Sequence, residues 1–221
     1  MYKRQVVDGN LGQAFLNSLL VTGVSVVLIV LFSSMVAFAL TRPRMALRKQ
    51  FYTLFIVGIM IPYQVGLYHL YRVVDSMGLV DTYPGLILIY VAIGMPFGVF
   101  VMYGFFSSIP KEINEAAVID GCNPWQVYMK IVMPLSATVI ATVVIFNLVL
   151  VWNDMMYPLI FINSPEHQTL AKALLAFKGQ FLSRYTVMFG GVVLASLPLI
   201  VAYLVLQKRF IAGMMAGSVK G

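Results

Sequence analysis

The side chains with the most chemical capacity crowd into one segment, Ser107–Pro134, which holds Lys111, Glu112, Glu115, Asp120, Cys122, Asn123, Trp125, Gln126, Tyr128 and Lys130. Their spacing suits folding and docking. Pro110 fits the first turn of a helix, and Glu112 and Glu115 place negative charge near its positive end, so Lys111–Ile119 is expected to be a short helix stopped by Gly121. Asn123-Pro124-Trp125-Gln126 then supplies an N-cap, a first-turn proline and a capping-box glutamine for a second helix running towards Pro134. The spacing predicts helix, tight turn, helix. Ala116 and Ala117 leave one side of the first helix nearly bare, which permits close approach of another surface. Gly121 permits a turn that a β-carbon would obstruct. A solvated hairpin without a partner would leave Trp125 and Tyr128 as wasteful exposed apolar surface.

Other chemistries lack their residues. No G-x-x-x-x-G-K-S/T sequence occurs, and the glycines, Ser218 and Lys220 near the end stand in the wrong order with no strand before them, so ATP must be bound elsewhere. The His, Cys and carboxylate residues do not cluster at metal-ligand spacing, so no metal site is expected. No hydrophobic segment carries a Ser/His pair, which weighs against an intramembrane enzyme. An ion-coupled secondary transporter would show intramembrane carboxylates or an inverted repeat, and neither is visible.

These residues must be positioned by a chain that is 61% hydrophobic and 10% charged, where a soluble domain carries roughly 25% charged residues. Five stretches free of Asp, Glu, Lys and Arg approach or exceed the ~20 residues of a transmembrane helix: Leu16–Leu40, Phe51–Tyr71, Leu86–Phe106, Leu135–Asn153 and Val187–Leu206. The net charge of +7 could suggest nucleic acid, but it lies mostly between these stretches. Arg42, Arg44, Arg48 and Lys49 follow the first, Lys111 and Lys130 the third, and Lys208, Arg209 and Lys220 the fifth. By the positive-inside rule these segments face the cytoplasm, and Asp75–Pro84 and Pro158–Thr186 face outward. The start of the chain is then outside without a signal peptide, so a further span is expected upstream. The single Cys122 excludes an intramolecular disulfide.

Polar residues within the spans are the materials of a solute pathway. Tyr63, Gln64, Tyr68, Asn147, Trp152 and Asn153 form the expected lining, because a sugar takes aromatic faces against its C–H surfaces and amides or hydroxyls on its hydroxyl groups. The competing reading, which also covers Asn17, Ser18, Thr22, Ser25, Ser33 and Ser34, is interhelical hydrogen bonding with Trp and Tyr as interfacial anchors. His69 and Asp154 are placed near the outer surface, where neither need relay protons. Pro62 and Pro96 are expected to kink or break their helices. Gly191 and Ala195 suit close helix contact.

Glu115-Ala116-Ala117, three residues, Gly121, nine residues, Ile131, one residue and Met133-Pro134 together resemble the EAA loop of ABC-importer permeases, with Met133 where that family usually has Leu and Asp120 matching its frequent acidic residue. Gly78-Leu79-Val80-Asp81-Thr82, Trp152-Asn153-Asp154 with Pro158-Leu159, and the ending Ala216–Gly221 are similar to the carbohydrate branch, particularly the maltose-type partner subunit. The resemblance implies an all-α membrane protein with the type I ABC importer transmembrane fold, five spans being present and a sixth upstream. Residues 1–5 are read as a non-native leader, and 6–221 as a single permease domain with a cytoplasmic coupling loop at 107–134.

In that loop Glu115, Ala116, Ala117, Asp120, Gly121, Ile131 and Pro134 would meet the ATPase. The implied partners are a second permease subunit, two ATP-binding subunits and an extracytoplasmic sugar-binding protein. The chain would bind no cofactor itself, with ATP and Mg on the ATPase subunits. It would lie in a bacterial or archaeal cytoplasmic membrane, multi-pass, with its C-terminus inside. The alternatives are an ABC permease for another small polar solute and the ion-coupled transporter.

Overall fold

A computed structural model describes residues 11–42, 47–180 and 185–218, with side chains for 11–42, 47–175 and 190–208. The leader expected at 1–5, Arg44, Arg184 and Lys220 lie outside the described residues. The elements are α1 (Leu11–Thr41), α2 (Arg48–Met60), α3 (Leu67–Ser76), α4 (Tyr83–Ser108), α5 (Lys111–Ile119), α6 (Pro124–Val127), α7 (Met133–Leu135), α8 (Ala137–Asn153), α9 (Met156–Phe161), α10 (Leu170–Gln180) and α11 (Tyr185–Ser218). A 3-10 turn at Tyr63–Gly66 precedes α3, and a π-helical turn at Tyr128–Val132 joins α6 to α7. The described residues contain no strand.

Among the described residues, helix α1, helix α4 and the Gly190–Lys208 part of α11 are each long and apolar enough to cross a membrane, and counting each of two bent helix pairs as one span brings the number to five. The chain is an all-α membrane protein. The two prolines expected to disturb their spans behave differently. Ile61 and Pro62 are extended, with ψ of 119° and 114°, and they separate α2 from the turn that leads into α3. A proline lacks the N–H of the helical ladder and crowds the carbonyl four residues back, which accounts for a break. Pro96, by contrast, sits inside the continuous helix α4, as prolines can in spans where neighbours satisfy the freed backbone.

Two compact units are built from separate stretches of the chain. The first comprises Met1–Val27, Pro62–Ile93 and Phe146–Val205. Its core holds Val21, Val74, Leu86, Ile89, Tyr90, Val151, Tyr157, Phe161 and Ile162, and a second cluster gathers Leu11, Ala14, Trp152, Leu170 and Ala173. The small pair on α11 serves close packing: a β-carbon on Gly191 would lie 2.6 Å from Leu174 Cδ2. Val193, Val201 and Val205 on the same helix are exposed, as expected of a helix whose surroundings are lipid or another membrane subunit.

The second unit comprises Leu28–Ile61, Gly94–Ile145 and Leu206–Gly221. Here α1 and α4 touch at Gly98, where a β-carbon would stand 2.4 Å from Ser33 Oγ and 2.8 Å from Ser33 Cβ. The Ser33 hydroxyl donates to the Met95 carbonyl at 3.3 Å. Gly98→Val should therefore overpack the contact and cost about 1–3 kcal/mol. A lowered thermal midpoint in detergent would report it. Gly104→Ala, at a position with open space, should leave the midpoint unchanged or raise it slightly.

Candidate functional site

The hairpin at 111–135 is built by local rules. Helix α5 spans Lys111–Ile119 with Glu112 in its first turn, and it ends through two backbone bonds, Cys122 N–H to the Ala117 carbonyl at 2.9 Å and Gly121 N–H to the Val118 carbonyl at 3.0 Å. This is a Schellman closure, which requires a left-handed residue just past the helix. Gly121 supplies it with φ of +80°. The next helix opens with a complete capping box: Gln126 N–H donates to Asn123 Oδ1 at 2.9 Å, and Asn123 N–H donates to Gln126 Oε1 at 2.8 Å. Both ends of the turn are therefore satisfied by hydrogen bonds within the hairpin itself.

Its outward surface mixes large apolar side chains with the charged Lys111, Glu112, Glu115, Asp120 and Lys130. Val118, Ile119 and Trp125 are 61%, 85% and 56% exposed, and Ile113 and Met129 are exposed beside them. Among the residues singled out in the sequence, Glu115, Ala116, Asp120, Gly121 and Pro134 are exposed, Ile131 is half-buried and Ala117 is buried. The bare side of α5 is therefore divided, Ala116 facing out and Ala117 facing in, as the 100° step between successive helical residues demands. Tyr128 also departs from expectation. It is fully buried and is not part of the exposed apolar surface that its pairing with Trp125 suggested. Beyond the π-helical turn, Ser136 N–H and Oγ both donate to the Val132 carbonyl, at 3.0 and 2.5 Å, where α7 gives way to α8 with a bend of 75°.

The expected pathway residues all lie in the first unit and divide into two groups. Tyr63, Gln64 and Tyr68 are exposed on the 3-10 turn and α3, with the Tyr63 ring 5.6 Å from that of Tyr157 and Tyr68 edge-on to His69 at 5.7 Å. Asn147, Trp152 and Asn153 lie on α8. Asn147 and Trp152 are buried, and the Trp152 indole N–H donates to the Ala195 carbonyl at 2.8 Å while its ring meets Phe15 edge-on at 5.8 Å. Asn153 is exposed, and its amide donates to the Val149 carbonyl at 2.8 Å. Asp154 accepts from Tyr90 Oη at 2.8 Å and from the backbone N–H groups of Met156 and Tyr157 at the start of α9.

Several polar residues of α1 act as interhelical ties. The Asn17 amide donates to the Glu166 and Gln168 carbonyls at 2.7 and 2.9 Å, its oxygen accepts from Tyr83 Oη at 2.8 Å, and Ser18 Oγ accepts from Leu170 N–H at 2.8 Å.

A clasp around Asp81 was not legible as chemistry, since its residues are scattered in sequence and the Gly78–Thr82 motif stood out only by resemblance. Asp81 has φ of +61°, rare for a residue with a side chain. Its N–H donates to the Phe161 carbonyl at 2.8 Å. Its carboxylate accepts from Asn163 N–H at 2.9 Å, from Ser164 N–H at 3.0 Å and from the Ser164 hydroxyl, with His167 Nδ1 at 3.6 Å. Chiefly through the Ser164 hydroxyl, and further through these N–H groups and His167, the carboxyl is lowered to about 2.

A folded value below the ordinary one means that the clasp contributes fully above that ordinary value and weakens as pH falls towards about 2. Asp81→Asn should therefore lower the thermal midpoint at neutral pH, with a gap from wild type that narrows as pH falls below about 4 towards 2. Melting curves from about pH 2 to 8 check it; a gap that persists unchanged at about pH 2 would show that the ionised carboxylate is not what holds the clasp.

A capped hairpin set between helices long and apolar enough to cross a membrane is the architecture of a multi-pass membrane protein. The chain belongs to the family described as the binding-protein-dependent transport system inner membrane component, which matches residues 29–215. It is 38% identical over 213 residues to the melibiose/raffinose/stachyose import permease protein MelC of Bacillus subtilis, covering 96% of this chain and 77% of that one. It is 34% identical over 224 residues to the multiple sugar-binding transport system permease protein MsmG of Streptococcus mutans, covering 99% and 80%. Among solved structures, a bacterial ABC transporter involved in import of the acidic polysaccharide alginate matches with a TM-score of 0.82 and 25% identity, over 95% of this chain and 78% of that one.

Proposed function

We infer that this chain is the permease subunit of an ATP-driven importer of a sugar or oligosaccharide. The observation that carries the reading is the set of exposed large apolar side chains, Ile113, Val118, Ile119 and Trp125, among charged residues on a capped hairpin, in a chain similar over nearly its whole length to sugar permeases. Such a surface suits the cleft of an ATPase subunit, with Glu115, Ala116 and Gly121 at the contact. Two ATP-binding subunits would supply ATP and Mg, a second permease would complete the pathway, and an external binding protein would deliver the sugar. The hairpin and the C-terminus would face the cytoplasm, as the basic segments suggest. Closure of the ATPase pair would move the hairpins and open the pathway alternately to either side. Exposed Tyr63, Gln64, Tyr68 and Asn153 are the proposed lining, with Asn147 and Trp152 supporting it from within.

Proteoliposomes holding the complete complex test the reading. Uptake of labelled raffinose or a related oligosaccharide should require ATP on the hairpin side and binding protein on the other. Uptake that survives without ATP but collapses with an ion gradient would instead establish the secondary transporter. A binding protein that captures only amino acids or phosphate would establish another polar solute.

A further inference from the structure

The hairpin carries a buried attachment that its docking role does not require. Tyr128, the first residue of the π-helical turn, is 1% exposed, and its hydroxyl lies 2.7 Å from Ser34 Oγ on α1. Ser34 is itself fully buried and donates its one hydroxyl proton to the Leu31 carbonyl at 2.9 Å. The tyrosine must therefore be the donor in the shared bond, which gives a directed chain from Tyr128 O–H to Ser34 O–H to the carbonyl of Leu31.

The Tyr128 ring belongs to a column. Its centroid is 5.2 Å from the Trp125 ring, which reaches the exposed surface, and 5.1 Å from the Phe38 ring on α1. The Arg42 guanidinium carbon lies 4.2 Å from the Phe38 centroid, and Arg42 Nε and Nη2 are buried without a hydrogen-bond partner among the described residues. The Phe38 ring thus carries a cation–π contact at the far end of the column.

We propose that Tyr128 is a positioning residue for coupling, a strut that ties the docking hairpin to α1 through Ser34 and Phe38. Short helices joined by a glycine turn can rock about their connections, and a hairpin that rocks freely would absorb a push without passing it on. A fully buried ring with a satisfied hydroxyl has one low-energy seat, because moving it would strand a polar atom in an apolar setting. Trp125 carries the outer end of the column to the exposed surface of the hairpin, while Ser34 and Phe38 hold the inner end on a membrane-spanning helix. A wide π turn beginning at the same residue is the kind of local departure that recurs at functional joints.

The proposal rests on the coupling role of the hairpin, and its test separates the two. In nanodiscs containing the assembled complex, the rate of maleimide labelling at Cys122, half-buried beside the turn, reads hairpin mobility without reference to any solute. Sugar moved per ATP hydrolysed reads coupling. Tyr128→Phe, which keeps the ring, and Ser34→Ala, which keeps the whole hairpin sequence, should each raise the labelling rate at least threefold and lower sugar moved per ATP at least threefold. The double variant should be no worse than either single one, since both remove the same bond.

Unchanged labelling and stoichiometry in both single variants, or losses that add in the double, would overturn the strut. Should Tyr128→Phe fail to assemble, Ser34→Ala alone decides by the same readouts. A wild-type complex that hydrolyses ATP and moves no sugar would refute the transport reading, while the labelling rates would still rule on the strut.

Discussion

Gly121→Val should leave the permease inserted and assembled yet remove most transport-linked ATP hydrolysis. The glycine has φ of +80° and closes α5 through the Schellman pair, with open space where a β-carbon would go. Crowding therefore plays no part, and the cost is conformational. A β-branched residue held there is strained by roughly 1–3 kcal/mol, which lowers the population of the native turn by about 5- to 150-fold relative to alternatives. Insertion depends on the apolar spans and should be indifferent to the change.

Ala116→Trp reaches the same end by another route, since Ala116 is exposed on a helix whose conformation tryptophan tolerates, so bulk alone would block docking. A short cross-linker from Cys122 to cysteines around the ATPase cleft should react in the wild type with an ATP-dependent yield, and lose that dependence in both variants. Normal sugar transport in both, with no cross-link from Cys122, would reduce the hairpin to a connector.

The hairpin was readable because every rule that shapes it is local. Pro110, Gly121, Asn123 and Gln126 act on backbone groups within a few residues, so α5 begins and ends where the sequence places it and the capping box forms as written. The spans were readable for a similar reason, since lack of charge over ~20 residues is a property of one segment. What escaped depends on contacts between distant segments. Tyr128 and Trp125 are both aromatic and three residues apart, yet one is buried and the other exposed, because Ser34 and Phe38 are there to receive only one of them. Asp81 needed Ser164, more than eighty residues away, before its carboxylate had a role. Pro62 and Pro96 look alike in sequence, and the surroundings decide that one ends a helix and the other is absorbed into one.

Trp152→Ala should deplete the folded subunit itself rather than weaken its grip on a solute. The side chain is buried in the cluster of Leu11, Ala14, Leu170 and Ala173, where it also gives its N–H to the Ala195 carbonyl. Truncating a buried tryptophan to alanine costs about 3–5 kcal/mol through lost packing and the cavity left behind. That is a large fraction of the whole stability of many domains, about 5–15 kcal/mol, so the yield of assembled complex should fall sharply. Trp152→Phe keeps most of the volume and loses the donor, at about 1–3 kcal/mol for the bond and the imperfect fit, and should give a complex with a lower thermal midpoint and nearly normal KM for the sugar. Asn153→Ala, on the exposed side of the same helix, should do the reverse, melting close to wild type while KM rises several-fold. The comparison separates support from lining within two adjacent residues. A Trp152→Ala protein that assembles at wild-type levels and shows a raised KM would move the indole from the core of the first unit to the solute's path.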